Sequence, residues 1–162
     1  MKRSPGRPPS LLALPSYLAS QVSRFGRWHL ESALAGGGLA LVHHAILAAL
    51  DDFGPLSQQE VADALALDKS HLVARIDHLE KAGLVRRGPD PADRRRHRLT
   101  LTGEGERTVE RFRPIAQESQ REFLAVLSPE ERRTLVSLLE KVLRANDAAG
   151  NPSASVEPPQ LP

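Results

Sequence analysis

The sequence predicts a mainly α-helical fold with one small β-hairpin: a winged helix-turn-helix block, with helical dimerisation regions supplied by both chain ends. Three observations predict it. Apolar residues recur at helical spacing through most of the 162 residues. Glycines, prolines and N-cap residues cut that pattern into short helices. Over Arg98–Thr102 a two-residue alternation takes over, and between Arg86 and Arg98 six arginines stand against two aspartates.

The amino-terminal residues 1–15 are rich in proline and base and read as a flexible arm. A first helix is expected from Ser16 to Ala35, where Leu18, Val22, Phe25 and His29 recur at helical spacing and Gly36-Gly37-Gly38 stops the run. A second, Leu39 to Phe53, is apolar nearly all round, which predicts burial. The third opens on a capping box, Ser57-Gln58-Gln59-Glu60, and ends near Leu65. The fourth takes Asp68 as N-cap, with Leu67 and Leu72 placed as a hydrophobic staple, and ends at the C′ glycine Gly83.

Leu84–Gly88 and Arg98–Thr102 read as two short strands, since Leu99 and Leu101 alternate with polar neighbours. Thr102 then caps a fifth helix carrying Val109, Phe112, Ile115, Phe123, Leu124 and Leu127. Pro114 inside it is expected to kink or break it. A sixth helix begins at the capping box Ser128-Pro129-Glu130-Glu131, with the stripe Leu135, Leu138, Leu139, Val142 and Leu143. Residues 148–162 read as a disordered tail. The organisation expected is therefore an arm over 1–15, N-terminal helices over 16–53, a winged helix-turn-helix lobe over 54–102, C-terminal helices over 103–147, and the tail. The end helices could not bury their apolar stripes against so small a central block. Pairing with a second copy is the simplest remedy, which predicts a homodimer.

Composition bounds the chemistry. Hydrophobic residues make up 40% and aromatics only 4%, so the core must come from Leu, Val and Ala. The formal net charge is only +2, so basic character is concentrated in the hairpin rather than spread over the surface. A local basic patch steers an anionic partner. With no cysteine, disulfides, thiolate zinc sites and thiol redox sensing drop out, and the expected compartment is the cytoplasm. No apolar run approaches the roughly 20 residues that span a bilayer, so no membrane partner is expected. Leu11–Leu14 is too short for a signal-peptide core. No Gly-rich phosphate loop, nucleophile elbow or His-Glu-x-x-His spacing is present, so no enzyme, cofactor or metal is expected.

The hairpin tip, Asp90-Pro91-Ala92-Asp93-Arg94-Arg95-Arg96-His97-Arg98, held beside a helix-turn-helix suits double-stranded DNA. Together with Leu56-Ser57-Gln58-Gln59-Glu60-Val61-Ala62, Leu79-Glu80-Lys81-Ala82-Gly83-Leu84-Val85-Arg86-Arg87 and Leu99-Thr100-Leu101-Thr102-Gly103-Glu104-Gly105, it resembles the multiple-antibiotic-resistance regulators, the MarR family. The likeness extends more loosely over residues 16–146. It implies a dimer that binds a palindromic operator, usually as a repressor, and releases it when a small phenolic or anionic effector enters a cleft beside the DNA-binding lobe. Two departures matter. Many relatives have a Thr-Arg pair where this chain has Val73-Ala74, so their operator sequences do not transfer. The cysteine of the peroxide-sensing branch is absent.

Placed on a helix, Leu72, Ile76 and Leu79 form a core face of the fourth helix. Ser70, His71, Ala74 and Arg75 are the candidate groove contacts, and Lys69 a phosphate contact. Arg75 suits bidentate hydrogen bonding to guanine. The alternative is a solvated face holding an Arg–Asp pair. On the wing, Arg94, Arg95, Arg96 and His97 are candidates. The resemblance aligns Arg95 with the arginine that enters the minor groove, and gives Asp93 the part of fixing the tip through a neighbouring arginine. Ser57 and Gln58, at a helix start, are candidate phosphate contacts. Pro5-Gly6-Arg7-Pro8 is either a minor-groove arm or a loose tail. His43 and His44, with Arg24 and Trp28, are candidate effector contacts; packed, hydrogen-bonded histidines are the other reading, and adjacent histidines point about 100° apart, which disfavours a shared metal. A winged-helix module that binds protein without specific DNA binding is the second functional class.

Overall fold

A computed structural model describes residues 6–90 and 97–149, in two units, one up to residue 123 and one from 124 onward. The readings placed on the first five residues, on Asp93, Arg94, Arg95 and Arg96, and on the tail from 150 lie outside the described residues.

The first unit runs α1 (Pro9–Leu12), α2 (Pro15–Leu34), α3 (Leu41–Phe53), α4 (Gln58–Ala64), α5 (Lys69–Lys81), β1 (Val85–Pro89), β2 (His97–Leu101) and α6 (Gly103–Phe123). The strands pair antiparallel with Val85 opposite Leu101 and Pro89 opposite His97. Leu56 bridges to Leu99 from the other side, its amide and carbonyl both bonded to Leu99 at 3.2 and 2.7 Å. The second unit's helix is α7 (Pro129–Ala148).

Local chemistry explains the boundaries. Ser57 Oγ accepts the Glu60 amide at 3.2 Å, while the Ser57 amide donates to Glu60 Oε2 at 2.7 Å. Ser128 and Glu131 repeat this at the start of α7, at 3.2 and 2.8 Å. Each box satisfies two helix-end donors that would otherwise have no partner. At the end of α5, Gly83 adopts φ +71°. That left-handed turn lets the Leu84 amide reach the Leu79 carbonyl and the Gly83 amide reach Glu80, both at 3.0 Å, the Schellman closure.

Four boundaries differ from the sequence expectation. The arm is not wholly irregular, because Pro9–Leu12 form one helical turn. The second helix starts at Leu41 rather than Leu39; the Ala40 amide is capped by His43 Nδ1 at 3.1 Å. Both strands lie one residue nearer the tip. The fifth helix stops at Phe123, short of Leu124 and Leu127, yet Pro114 does not break it. Proline removes one backbone donor. The packing of α6 on α2, α3 and β2 outweighs that single loss.

The core of the first unit gathers Ile46, Leu47 and Leu50 of α3, Val61 of α4, Leu72, Ile76 and Leu79 of α5, Leu84, Val85, Leu99 of the hairpin, and Val109 of α6. The predicted inner face of α5 is fully buried, all three residues at 0% exposure. Each such side chain contributes about 1.5–3 kcal/mol relative to exposure.

Thr102 closes the junction of hairpin and α6. Its hydroxyl donates to the Gly83 carbonyl at 2.6 Å and accepts the Gly105 amide at 3.1 Å, and its amide donates to Leu84 O at 3.0 Å. Gly105 is forced by this closeness, for a Cβ there would lie 2.1 Å from Leu84 O. We expect Gly105→Ala to lower stability by at least about 1–3 kcal/mol through overpacking against backbone. Calorimetry would show it as a lower Tm, and an unchanged Tm would mean the junction yields freely.

Candidate nucleic-acid interface

The outward face of α5 follows from its inward one. With Leu72, Ile76 and Leu79 buried, Lys69, Ser70, His71 and Ala74 are exposed and Arg75 is half-buried. Val73 is exposed on the same helix. Asp68 caps the helix, accepting the Ser70 amide at 2.7 Å and the Ser70 hydroxyl at 2.6 Å. These bonds hold the Asp68 carboxyl below its usual pKa. Ser70 thus spends its hydroxyl proton on the cap and keeps only acceptor capacity for an outside partner. Ser57 and Gln58, at the start of α4, are both half-buried.

The hairpin arginines divide by partner. Arg86 Nε donates to Thr100 Oγ1 at 3.0 Å. Arg87 pairs with both Asp77 and Glu80 of α5, and its amide donates to Glu80 Oε1 at 3.1 Å. Burial opposes the Arg87 charge, but the two carboxylates outweigh it and hold its pKa above the ordinary value. Arg98 Nε donates to Asp90 Oδ2 at 2.6 Å, and its guanidinium also donates to the Pro55 carbonyl at 2.6 Å. Its hydrogen bond to the Asp90 carboxylate holds the Arg98 pKa above the ordinary value too. Three of the six arginines counted in the sequence therefore act as ties: strand to strand, strand to α5, and strand to the turn before α4. His97 is exposed at the outer end of β2.

The Arg–Asp pair that the alternative reading placed on α5 takes a different form. Asp77 pairs across to Arg87 of β1, and Arg75 stays on the outward side. The sequence signal for this was Asp77 and Glu80, three residues apart and so on one helix face, followed by a strand carrying Arg87. Pattern reading assigned that arginine to a generally basic wing.

The four candidate effector contacts are not brought together. His44 is buried, stacked on Phe112 of α6 with ring centroids 4.4 Å apart. Its Nε2 has no hydrogen-bond partner. It lines a cavity of about 640 Å³ with Thr108, Arg111, Phe112 and Ile115 of α6 and Leu34 at the end of α2. His43 turns the other way and stacks on His78 of α5 at 4.6 Å. Arg24 and Trp28 line a separate depression on α2 around Phe25. Arg24 lies over that ring at 5.3 Å and Arg7 at 5.7 Å. Sequence reading missed Arg111, whose guanidinium donates to Glu104 Oε1 and Thr108 Oγ1 at 3.0 Å each. Its spacing of three and seven residues from those partners was the available clue. Among the described residues, no cluster of three or more His, Asp or Glu is placed to hold a metal ion, and no helix is long and apolar enough to cross a membrane.

Comparison with known proteins follows the same outline. A model described as MarR family matches residues 37–96. The transcriptional regulator HosA of Escherichia coli O111:H- is 35% identical over 102 residues, 63% of this chain and 76% of that protein. Among solved structures, the transcriptional repressor CouR bound to a 23-mer DNA duplex superposes with TM-score 0.78 at 27% identity, covering 86% of this chain and 99% of that one. BpsR of Bordetella bronchiseptica, studied for regulation of its DNA binding by 6-hydroxynicotinic acid, superposes with TM-score 0.74 at 28% identity, covering 80% and 93%.

Burial pushes both His43 and His44 below their ordinary pKa of 6.5, and the charges of His78, Arg75 and His44 push His43 further. The unfolded chain then binds protons more readily than the folded one below about pH 6.5. Stability is therefore full above that value and falls as the medium is acidified toward the lowered native pKa values. We expect Tm to drop between about pH 7.5 and 5.5, and His44→Phe, which keeps a ring against Phe112, to flatten part of that slope. A pH-independent Tm across the window would contradict the assignment.

Proposed function

The chain belongs to the MarR family of transcriptional regulators, and from that premise we propose that it is a sequence-specific DNA-binding repressor released by a small ligand. The observation that carries this reading is the Arg87 tie. It fastens the hairpin to α5, so the reading helix and the wing form one surface rather than two independent elements. A protein-binding module would have no need to hold a basic hairpin at a set distance from a helix whose outer face carries Lys69, His71 and Arg75.

In this reading the first half of α5 enters the major groove. Arg75 reads a guanine edge, Ala74 allows close approach to a thymine methyl, and His71 and the Ser70 oxygen contribute polar contacts. Lys69, Ser57 and Gln58 take phosphates. Arg94, Arg95, Arg96 and His97 serve the wing, with Arg95 in the minor groove, where narrow A·T tracts attract guanidinium. Because a regulator of transcription works where the DNA is, a cytoplasmic location is part of this proposal.

Two copies are required to read a palindrome. The apolar stripes support this: Leu14, Val22 and Trp28 of the first unit and Leu138, Val142 and Leu143 of the second are all more than 40% exposed. Exposed apolar area of this extent marks an association surface. The cavity beside His44 suits a small aromatic acid. Phe112 and Ile115 offer apolar walls, Arg111 a cation for the carboxylate, and His44 Nε2 an open polar atom. This is the class of 6-hydroxynicotinic acid, which regulates DNA binding of the similar BpsR.

Four outcomes test the reading. Operator affinity should fall steeply with salt, as roughly six to ten phosphate contacts demand; a flat response would argue for protein binding instead. Arg95→Ala should cost most of the DNA affinity while the fold is retained. Arg75→Ala should cost about 1–3 kcal/mol of discrimination at one base pair, measured by comparing matched and mismatched duplexes. For the effector, Arg111→Ala should abolish release by aromatic acids without changing operator affinity in their absence.

A further inference from the structure

Two imidazoles meet where α3 packs on the reading helix. His43 and His78 lie face to face, ring centroids 4.6 Å apart and planes 10° apart. His43 is half-buried and His78 exposed, so solvent protons reach the pair. His43 has a second duty, since its Nδ1 accepts the Ala40 amide at 3.1 Å and caps α3. That bond requires a bare Nδ1, so the ring in this structure is neutral with its proton on Nε2.

The groups around the ring give a proton no compensation. From α5 come His78 and Arg75, and from α3 comes His44; each is a cation when charged. Several carboxylates on the elements packed against α3 are engaged elsewhere, and β2, also packed there, carries none. Asp77 is held by Arg87, and on α4 Glu60 accepts the Ser57 amide while Asp63 accepts from Gln59. On α6, Glu104 shares a cavity wall with His78 but accepts from Arg107 and Arg111. On α3, Asp51 pairs with Arg113. From α2, Ala33 and Leu34 contribute only apolar surface to that wall.

We propose that the His43–His78 stack is a proton-operated positioning element for the reading helix: neutral rings seat α5 against α3, and a proton on His43 breaks the Ala40 cap and sets a cation against His78 and Arg75, unseating the helix. Acid then weakens operator binding from behind the interface. Burial keeps His43 neutral in ordinary conditions, so the element responds only when the medium turns acidic. This inference rests on the reading of α5 as the base-contacting helix.

The test uses the full-length protein and a duplex enriched by it from a random library at about pH 7.5, with Kd then measured down to about pH 5.5, the range of histidine titration. His43→Gln offers an amide oxygen to the Ala40 amide and cannot take up a proton, and His43→Asn is the second variant if His43→Gln fails to fold. At the upper pH both should bind like the wild type. On acidification the wild type should lose affinity relative to each variant by about tenfold or more, the equivalent of one pKa unit. Parallel pH curves for wild type and variants would overturn the positioning element while leaving the DNA reading intact. Failure to enrich any duplex would overturn the DNA reading, and this inference with it.

Discussion

The buried face of α5 is the constraint on which the other features depend. Leu72, Ile76 and Leu79 share one core with Ile46 and Leu47 behind, Val61 beside and Leu99 from the hairpin. Turning α5 about its axis would expose all three, at about 1.5–3 kcal/mol each. No single surface contact repays that. The direction in which Lys69, His71, Ala74 and Arg75 face is therefore set from behind, by packing, before any partner arrives. The same core seats the hairpin, because Val85 and Leu99 belong to it.

Polar ties then remove the freedom that packing leaves. Arg87 spans from β1 to two carboxylates one turn apart on α5, and Arg98 spans from β2 to Asp90 and to the carbonyl of Pro55. Such partly exposed pairs add modest stability. Their effect is chiefly geometric, since a planar guanidinium with several donors fixes direction as well as distance. Thr102 does the same for α6 through three hydrogen bonds around Gly83, Leu84 and Gly105. Helix, wing and the helix that follows are thus tied to one another.

The adjacent histidines of α3 link this body to its surroundings. Because neighbouring side chains on a helix diverge by about 100°, His43 meets His78 on α5 while His44 meets Phe112 on α6 and the cavity. A single turn of α3 therefore touches both α5, proposed to read the bases, and the wall proposed for an effector. Any ligand or proton that prefers one placement of that turn shifts the other site by the same free energy.

Much of this was legible in the residues. Capping boxes at Ser57 and Ser128, the C′ glycine Gly83 and the inner stripe of α5 are local signals, and local chemistry decides them. So element order, the inward and outward faces, and the resemblance carried by the Asp-Arg-Arg wing could be read directly. Pro114 does not end α6 because its cost is local whereas the packing that offsets it is not. The roles of Arg87, Arg98 and Arg111 could not be read from pattern alone, nor could the parting of His44 from Arg24 and Trp28. Arg98 reaches Pro55 across 43 residues of sequence, and His43 and His78 sit on different helices. Which cation is spoken for, and which ring faces a cavity, depends on through-space distances of a few ångströms. Those distances exist only once the helices have packed.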